Sequence, residues 1–246
     1  MARADEVKMK ILAFESSAKA ASVAICGDDG LIAQYWQHSA LTHSRTLLAM
    51  AEDMFKNLEI TIDDIDAVAV AVGPGSFTGI RIGTAAAKGI AWGADKPVCP
   101  VSTLLAMAHH FMDRGDIVIC PVMDARRSQV YNAKFMPRQG ELVRLCEDRA
   151  ISVEQLIDEA KNDEKPYMLV GDGAVMCYNT FSEHGVFCHL APEPLRLQSA
   201  WGVAAAARNT APQSADDVEP NYIRLSQAER ERLERLARQG SSKSVK

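Results

Sequence analysis

Several features that assign a chain to a common functional class are missing from this 246-residue sequence. It has no run of about 18 apolar residues that could span a membrane, and its amino terminus lacks the charged-then-apolar order of a signal peptide. Lysine and arginine form no block before the carboxy-terminal tail, and the net charge is −5. Because affinity for phosphate backbones depends on clustered basic residues, the chain alone is not expected to bind nucleic acid tightly. We expect a cytoplasmic protein without a membrane partner.

Paired cysteines are also missing. The six cysteines are widely scattered and form no C-x-x-C pair of the kind used by zinc ribbons and redox sites. Lone cysteines in apolar runs are usually small core residues, so free interior thiols are expected.

The overall composition is that of an ordinary globular protein, with 48% hydrophobic and 24% charged residues. A chain of this length can bury a substantial core, in one large domain or two small ones.

The most distinctive stretch is GPGSFTGIRIGTAAAKGIAW, at residues 73–92, which follows a run of small and β-branched residues at 67–72. The pattern predicts a buried strand, a Gly-Pro-Gly turn and a helix. A glycine turn before a helix often binds an anion. However, no Lys-Ser or Lys-Thr pair follows Gly79, which excludes a P-loop. Gly79 also lies four residues after Gly75 rather than three, which excludes the dinucleotide fingerprint.

Small residues recur every four positions on the predicted helix, at Gly79, Gly83, Ala87 and Ala91. This spacing places them in one narrow stripe. Glycine inside a helix costs about 1 kcal/mol relative to alanine, so the stripe indicates that another backbone approaches closely. Two interpretations stay open. The stripe packs against the protein's own sheet, or it docks a helix of a soluble partner.

The chain contains two copies of one predicted order of elements, βββαβα. In each copy a strand is followed by a hairpin, an amphipathic helix, a second buried strand and a turn that opens another helix. Two copies predict two lobes that face each other across a cleft. The predicted divisions are a first lobe at 1–102, a linking helix and second lobe at 103–225, and a charged helical tail at 226–246. For the tail, a solvated helix is the simpler interpretation and a partner-binding helix the alternative.

The duplicated α/β unit, with Glu15 and Asp124 at the ends of the first strands and a glycine turn before the last helix, resembles the two-lobed actin-like ATPase (ribonuclease H-like) superfamily. Within it, the run GPGSFTGIRIG at 73–83 is similar to the bacterial TsaB family. Other segments that resemble the family lie at 11–17, 43–45, 101–104, 123–127 and 220–224. The tail lies outside the resemblance.

The resemblance implies a subunit of the machinery that makes N6-threonylcarbamoyladenosine beside the anticodon of tRNAs. In that pathway TsaD transfers the threonylcarbamoyl group, TsaB is a partner that TsaD needs, and the ATPase TsaE joins them. A TsaD-like heterodimer partner, a TsaE-like partner, a homodimer when the chain is alone, and contact with tRNA only through the complex are therefore expected. The implied partner surface lies on two helices and comprises His43, Leu47, Met50, Met54, Gly79, Gly83, Ala87 and Ala91.

The resemblance also implies that this chain has no catalytic residue and no metal. TsaD-type proteins hold a metal with a His-x-x-x-His pair, and Thr103 and Met107 stand at the corresponding positions here. Neither is a suitable ligand. His109 and His110 are adjacent, so they point about 100° apart on a helix and cannot replace the pair. ATP and metal would be used by the partner subunits.

The candidate nucleotide loops are Glu15-Ser16-Ser17 and Asp124-Ala125-Arg126. ATP-hydrolysing members of the superfamily have Asp-x-Gly there, because glycine lets the backbone approach the phosphates. Both loops lack glycine, so no cofactor is expected to be required, while weak binding of ATP or ADP stays open. Arg126 could pair with phosphate or form an ordinary surface ion pair.

Two enzyme classes are the alternatives. A small-molecule kinase or ATPase would use Glu15 and Asp124 as acid and metal-holding groups. A serine hydrolase is suggested by Ser76 and His43, but Gly-Ser-Phe-Thr-Gly does not match the Gly-x-Ser-x-Gly spacing of the nucleophile elbow.

Overall fold

The computed structural model describes residues 9–224, and two five-stranded mixed sheets form its framework. The first sheet has the order β3-β2-β1-β4-β5 and the second the order β10-β9-β6-β7-β8. The strands of the first sheet are β1 (Ile11–Glu15), β2 (Ala21–Gly27), β3 (Gly30–Gln37), β4 (Ala67–Gly73) and β5 (Val98–Ser102). Those of the second are β6 (Val118–Asp124), β7 (Gln129–Arg138), β8 (Glu141–Ser152), β9 (Tyr167–Val170) and β10 (Cys188–Leu190).

The two sheets share one topology. β1 pairs antiparallel with β2 and parallel with β4, and β6 pairs in the same way with β7 and β9. A parallel pair needs a crossover connection, and a helix supplies it in both lobes. The predicted α/β fold, a two-lobed actin-like architecture from a duplicated βββαβα unit, is confirmed.

Seven α-helices lie within the described residues. They are α1 (His43–Leu58), α2 (Phe77–Gly93), α3 (Thr103–His109), α4 (Val153–Asn162), α5 (Ala174–Glu183), α6 (Glu193–Arg196) and α7 (Ala200–Ala207). Two 3-10 turns lie at Ile62–Asp64 and Ala215–Asp217. No helix in this part of the chain has the length and apolar character needed to cross a membrane.

The first sheet is covered on both faces. Alternation along β1 sends Leu12 and Phe14 to the core shared with α1 and α2, and Ile11 and Ala13 to the core shared with α7. Alanines dominate the α7 side, so this helix approaches the sheet closely. Burial on both faces explains the continuous apolar runs of β1 and β4.

The predicted boundary of the second lobe is corrected by the last described segment. α7 belongs to residues 103–225 in the prediction, yet it packs against the first sheet. After α7, Gln213 bridges to Val98 of β5, and Asn221 donates its N–H to Val72 O at 2.7 Å. The chain therefore returns to the first lobe. The predicted helical tail at 226–246 lies outside the described residues.

Candidate functional site

A cleft of about 600 Å³ lies between the lobes. The carboxyl ends of β1 and β6 both point toward it, as expected for the ligand site of a mixed α/β sheet. The charged and aromatic residues of its wall are Lys19, Phe77, Asp124, Arg126, Tyr131, Asp172, Tyr222 and Arg224. Lys19, Asp172, Tyr222 and Arg224 received no role from the sequence, because they lie in loops without a periodic pattern.

The loop after β1 closes on itself. Glu15 is fully buried, and its Oε1 accepts the backbone N–H of Ser17 at 2.6 Å. Burial raises the pKa of Glu15 to about 7, although hydrogen bonds from Ser17 and Ser16 stabilise the carboxylate. Ser16 donates its hydroxyl to Gly79 O at 2.9 Å. Of the three predicted loop residues only Ser17 lines the cleft. The amide of Ser17 is therefore already used by the protein's own carboxylate.

The loop after β6 has the same arrangement. Asp124 Oδ1 accepts the backbone N–H of Arg126 at 2.7 Å. Asp172 Oδ1 accepts the N–H of Asp124 at 3.3 Å. Burial raises the pKa of Asp172, and the charge of Asp124 adds a smaller increase. The hydrogen bond from the Asp124 N–H and the charge of Lys19 oppose this increase. Here too the acidic residue binds the amide two positions along.

Left-handed backbone makes the turn after β6 unusual. Arg126, Arg127 and Ser128 have φ values of 64°, 56° and 55°. For residues other than glycine this conformation costs on the order of 1 kcal/mol each. The strain is held by neighbouring contacts, since Ala125 N–H donates to Gln129 O at 3.0 Å. Arg126 lines the cleft from this turn.

The turn before α2 packs directly on the loop after β1. Ser76 donates its N–H to Ser17 O at 2.6 Å, and its hydroxyl accepts the N–H of Gly79 at 3.2 Å as the helix cap. A Cβ at Gly75 would collide with Ser17 O, so only glycine fits this close approach. The Gly-Pro-Gly turn thus forms part of the cleft wall.

Residues 218–224, called the strap below, cross from the first lobe to the second. Tyr222 stacks on Phe77 with ring centroids 4.9 Å apart, and its hydroxyl accepts Arg81 Nε at 2.8 Å. Arg224 Nη1 donates to Ala125 O of the second lobe at 3.0 Å. The sequence resemblance included residues 220–224 but gave no role to them. The structure assigns the strap to the wall of the cleft and to a bond between the lobes.

The small-residue stripe faces inward, which corrects its prediction as a partner surface. Gly79, Gly83, Ala87 and Ala91 are buried in the chain itself. Side-chain atoms at Gly79 would collide with Ser16 O, and those at Gly83 with Ser16 Oγ. Of the two interpretations that the sequence left open, packing on the protein's own sheet is the one observed.

The predicted partner residues of α1 are also buried or half-buried within the chain itself. Leu47 and Met54 are buried in the core of the first lobe, so they are not available to a partner. Met50 is half-buried against that core. His43 is half-buried, and its Nε2 lies 2.7 Å from Ala18 O. Periodicity identified the face of α1 that packs on the sheet, and the exposed face is the opposite one.

The outward sides of α1 and α2 carry apolar and small residues. Trp92 is 76% exposed and Leu48 is 51% exposed. Ala85 is exposed, and Gly89 has open space where a side chain would point. Ile82, three residues before Ala85, is half-buried and packs against the core of the first lobe. We call these five residues the α1/α2 face. An exposed set of this kind is typical of a protein–protein contact.

The positions that correspond to a metal-binding pair hold no suitable donors. Thr103 and Met107 are both buried in α3. His109 and His110 are also in or next to this helix, where burial lowers the pKa of each to about 4. His110 Nε2 lies 2.9 Å from Ser199 Oγ. Within residues 9–224 no three His, Cys, Asp or Glu side chains form a metal-binding group. The residues present do not fit the metal of the transferase branch.

The duplicated lobes, the cleft between them and the acidic residues at the ends of β1 and β6 define a protein of the actin-like ATPase class. Residues 37–232 match the family model described as TsaD, tRNA N6-adenosine threonylcarbamoyltransferase. The chain is 31% identical over 230 residues to the tRNA threonylcarbamoyladenosine biosynthesis protein TsaB of Haemophilus influenzae, covering 88% of this chain and 94% of that protein. The chain belongs to the TsaB family of tRNA threonylcarbamoyladenosine biosynthesis proteins.

Two further comparisons agree with this assignment. The TsaB protein of Bacillus subtilis is 28% identical over 236 residues, covering 92% of this chain and 99% of that protein. A Pseudomonas aeruginosa crystal structure, described as a protein with similarity to peptidase YeaZ, superposes with a TM-score of 0.76 and 22% identity. It covers 88% of this chain and 100% of that one. At this identity the structural likeness shows the fold.

Proposed function

We propose that this chain is the non-catalytic subunit that pairs with a TsaD-like transferase and activates it in the synthesis of N6-threonylcarbamoyladenosine on tRNA. The observation that supports the proposal most strongly is the internal hydrogen bonding of the loops after β1 and β6. The N–H groups of Ser17 and Arg126 are bonded to Glu15 and Asp124 of the same loops. A phosphate cradle needs such amides free. The chain keeps the architecture of a nucleotide-hydrolysing fold without its phosphate-binding loops.

The α1/α2 face supports pairing with another protein. Trp92 is a large aromatic side chain left in solvent, and aromatic residues are frequent anchors of protein interfaces. Ala85 and Gly89 lie four residues apart on the outer side of α2, so a partner helix can approach closely there. In the proposed assembly this face docks the TsaD-like protein and a TsaE-like ATPase joins the pair. When the chain is alone, the same face pairs two copies. Transfer RNA is contacted only through the assembly.

Depletion of this protein followed by nucleoside analysis of total tRNA tests the proposal. Loss of threonylcarbamoyladenosine, restored by a plasmid copy, is the expected result. An unchanged level of the nucleoside would contradict the proposed function. Restoration by a Thr103→Ala copy is also expected, because the position of the transferase metal ligand has no catalytic role here.

A kinase or ATPase acting in the cleft is the second candidate. The observation in its favour is the volume of about 600 Å³ with Lys19 and Arg126 in the wall. A site of this size can hold a nucleotide. Magnesium-dependent hydrolysis of ATP by the isolated chain at a rate that Asp124→Asn abolishes would support this candidate over the first.

A further inference from the structure

A groove of about 550 Å³ runs between α2 and the strap, on the outer surface of the first lobe. Arg81, Thr84, Ala85 and Lys88 of α2 form one wall, and Val218, Glu219, Pro220 and Tyr222 of the strap line the other. The groove adjoins the α1/α2 face because Ala85 belongs to both. It is therefore placed beside any protein that docks on that face.

Both cations of the groove are held by neutral groups. Lys88 Nζ donates to Val218 O at 2.9 Å and to Asp216 O at 3.2 Å. The guanidinium of Arg81 lies 3.9 Å above the ring of Phe77, and its Nε donates to the Tyr222 hydroxyl. In residues 9–224 no carboxylate lies within ion-pair distance of either cation. The contacts fix the two side chains, and Glu219, the one carboxylate that lines the groove, forms no ion pair with either of them.

The spacing of the two cations defines the shape of the ligand. Arg81 and Lys88 are seven residues apart, which is two helical turns, or about 10.5 Å along the axis. They lie on the same side of α2, with the small side chain of Ala85 between them. The groove thus carries two positive groups along α2 and one carboxylate, Glu219, on the strap. It fits acidic side chains spaced along a protein segment.

A protein is favoured over a nucleic acid as the source of the negative charge. The chain carries a net charge of −5, whereas binding to a phosphate backbone depends on clustered basic residues. Next to the groove, the α1/α2 face is apolar, with Leu48 and Trp92 exposed. Another protein covers such a surface, while a phosphate backbone does not. The net charge of the chain and the apolar surface beside the groove therefore both favour a protein partner.

We propose that acidic side chains of the protein docked on the α1/α2 face enter this groove and pair with Arg81 and Lys88. The inference rests on the proposed function for the identity of that protein, a TsaD-like transferase. The inference adds the ion pairs that would orient the partner on this surface. The apolar face supplies contact area, and the two ion pairs fix the register of the partner along α2.

Titration calorimetry with the purified TsaD-like protein of the same organism tests the inference. Lys88→Glu is expected to weaken binding at least about tenfold, because a partner carboxylate would then face a like charge. Lys88→Arg, which keeps the charge, is expected to bind within about twofold of the wild type. The matched control is Lys161→Glu on α4 of the second lobe, an exposed position that makes the same charge change. It is expected to bind like the wild type.

Salt dependence gives a readout that does not depend on any variant. Raising the salt from about 0.05 M to about 0.3 M is expected to weaken wild-type binding, and to weaken that of Lys88→Glu much less. Wild-type binding that does not change with salt would overturn the inference, and so would equal effects of Lys88→Glu and Lys161→Glu. If Gly89→Arg abolishes pairing while Lys88→Glu does not, the groove inference fails and the proposed function stands. If the wild type does not bind the TsaD-like protein, the proposed function itself fails.

Discussion

Glu15 and Ser17 form a closed turn in which the carboxylate oxygen accepts the backbone N–H two residues later, at 2.6 Å. Asp124 and Arg126 repeat it in the second lobe at 2.7 Å. The duplication therefore extends from the order of the strands to the hydrogen bonds of the loops that follow them. In both lobes the backbone amide two residues after the acid is bonded to that acid's own carboxylate.

The raised pKa of Glu15 predicts a specific pH dependence of stability. Its folded-state pKa of about 7 lies above the ordinary value of 4.5, so the folded protein holds a proton that the unfolded chain releases. This contribution is constant below the unfolded pKa and lowers the free energy of unfolding as pH rises toward 7, by on the order of 3 kcal/mol in total. Glu15→Gln removes it and keeps an acceptor for Ser17. Urea unfolding at several pH values is expected to show the wild-type free energy falling relative to the variant between pH 4.5 and about 7.

Other titratable groups do not affect the comparison between the wild type and Glu15→Gln. His109 and His110, with pKa values lowered to about 4, contribute stability that increases with pH, and they do so equally in wild type and variant. The quantity to examine is the difference between the two proteins. A difference that stays constant from pH 4.5 to pH 8 would show that Glu15 is ionised in the folded state.

The inward stripe predicts opposite effects for two glycines of α2. Gly79→Ala places a Cβ against Ser16 O, so it is expected to destabilise the fold by about 1–3 kcal/mol. Gly89→Ala meets open space, so the better helix propensity of alanine is expected to stabilise the fold by up to about 1 kcal/mol. Denaturant unfolding of the two variants gives both values. Equal effects of the two substitutions would mean that Gly79 is not packed against the loop after β1.

Pairing through the α1/α2 face predicts that a bulky residue on the outer side of α2 separates the subunits. Gly89→Arg leaves the fold intact because the position is open, and is expected to abolish co-elution with the TsaD-like protein. Asn179→Arg, an exposed position of α5 in the second lobe, is the matched control. Size-exclusion chromatography of the mixed proteins measures the result. Unchanged co-elution of Gly89→Arg would place the interface elsewhere.

Closed strand-end loops predict weak nucleotide binding by the isolated chain. Because the Ser17 amide is bonded to Glu15, ATP with magnesium is expected to bind with a Kd above about 0.1 mM. Replacing Lys19, which lines the cleft, with alanine is expected to weaken that binding further. Calorimetric titration of the chain with ATP and magnesium measures this Kd. A Kd near about 1 μM would favour the kinase or ATPase alternative.

The fold was largely predictable from the sequence. Which side of a helix packs on the sheet was not. Short apolar runs bounded by turn residues located β1, β4 and their counterparts, because their length and β-branched content are typical of strands buried on both faces. On α2 the sequence has small residues on two sides, at Gly79 and Gly83 and again at Ala85 and Gly89. Periodicity shows that such stripes exist, but which one faces inward depends on how α2 packs against β4 and the loop after β1.

The remaining errors concern segments without periodicity. α7 reads AWGVAAAA, which is apolar on all sides, so the sequence predicts burial without indicating which sheet covers it. The short elements β10 and α6 are too brief for any pattern. Tyr222 contacts Phe77 and Arg81 of α2, and Arg224 contacts Ala125. Contacts between residues so distant in the sequence leave no local signal.

The return of α7 to the first sheet has a consequence for how the protein is made. A chain leaves the ribosome from its amino terminus, so β1 to β5 emerge before the helix that covers one of their faces. Until α7 follows, Ile11 and Ala13 on that face of β1 stay exposed to water. The amino-terminal lobe is therefore expected to complete its folding only after α7 has been synthesised, and a nascent chain arrested before residue 200 is expected to leave this apolar face of the sheet uncovered.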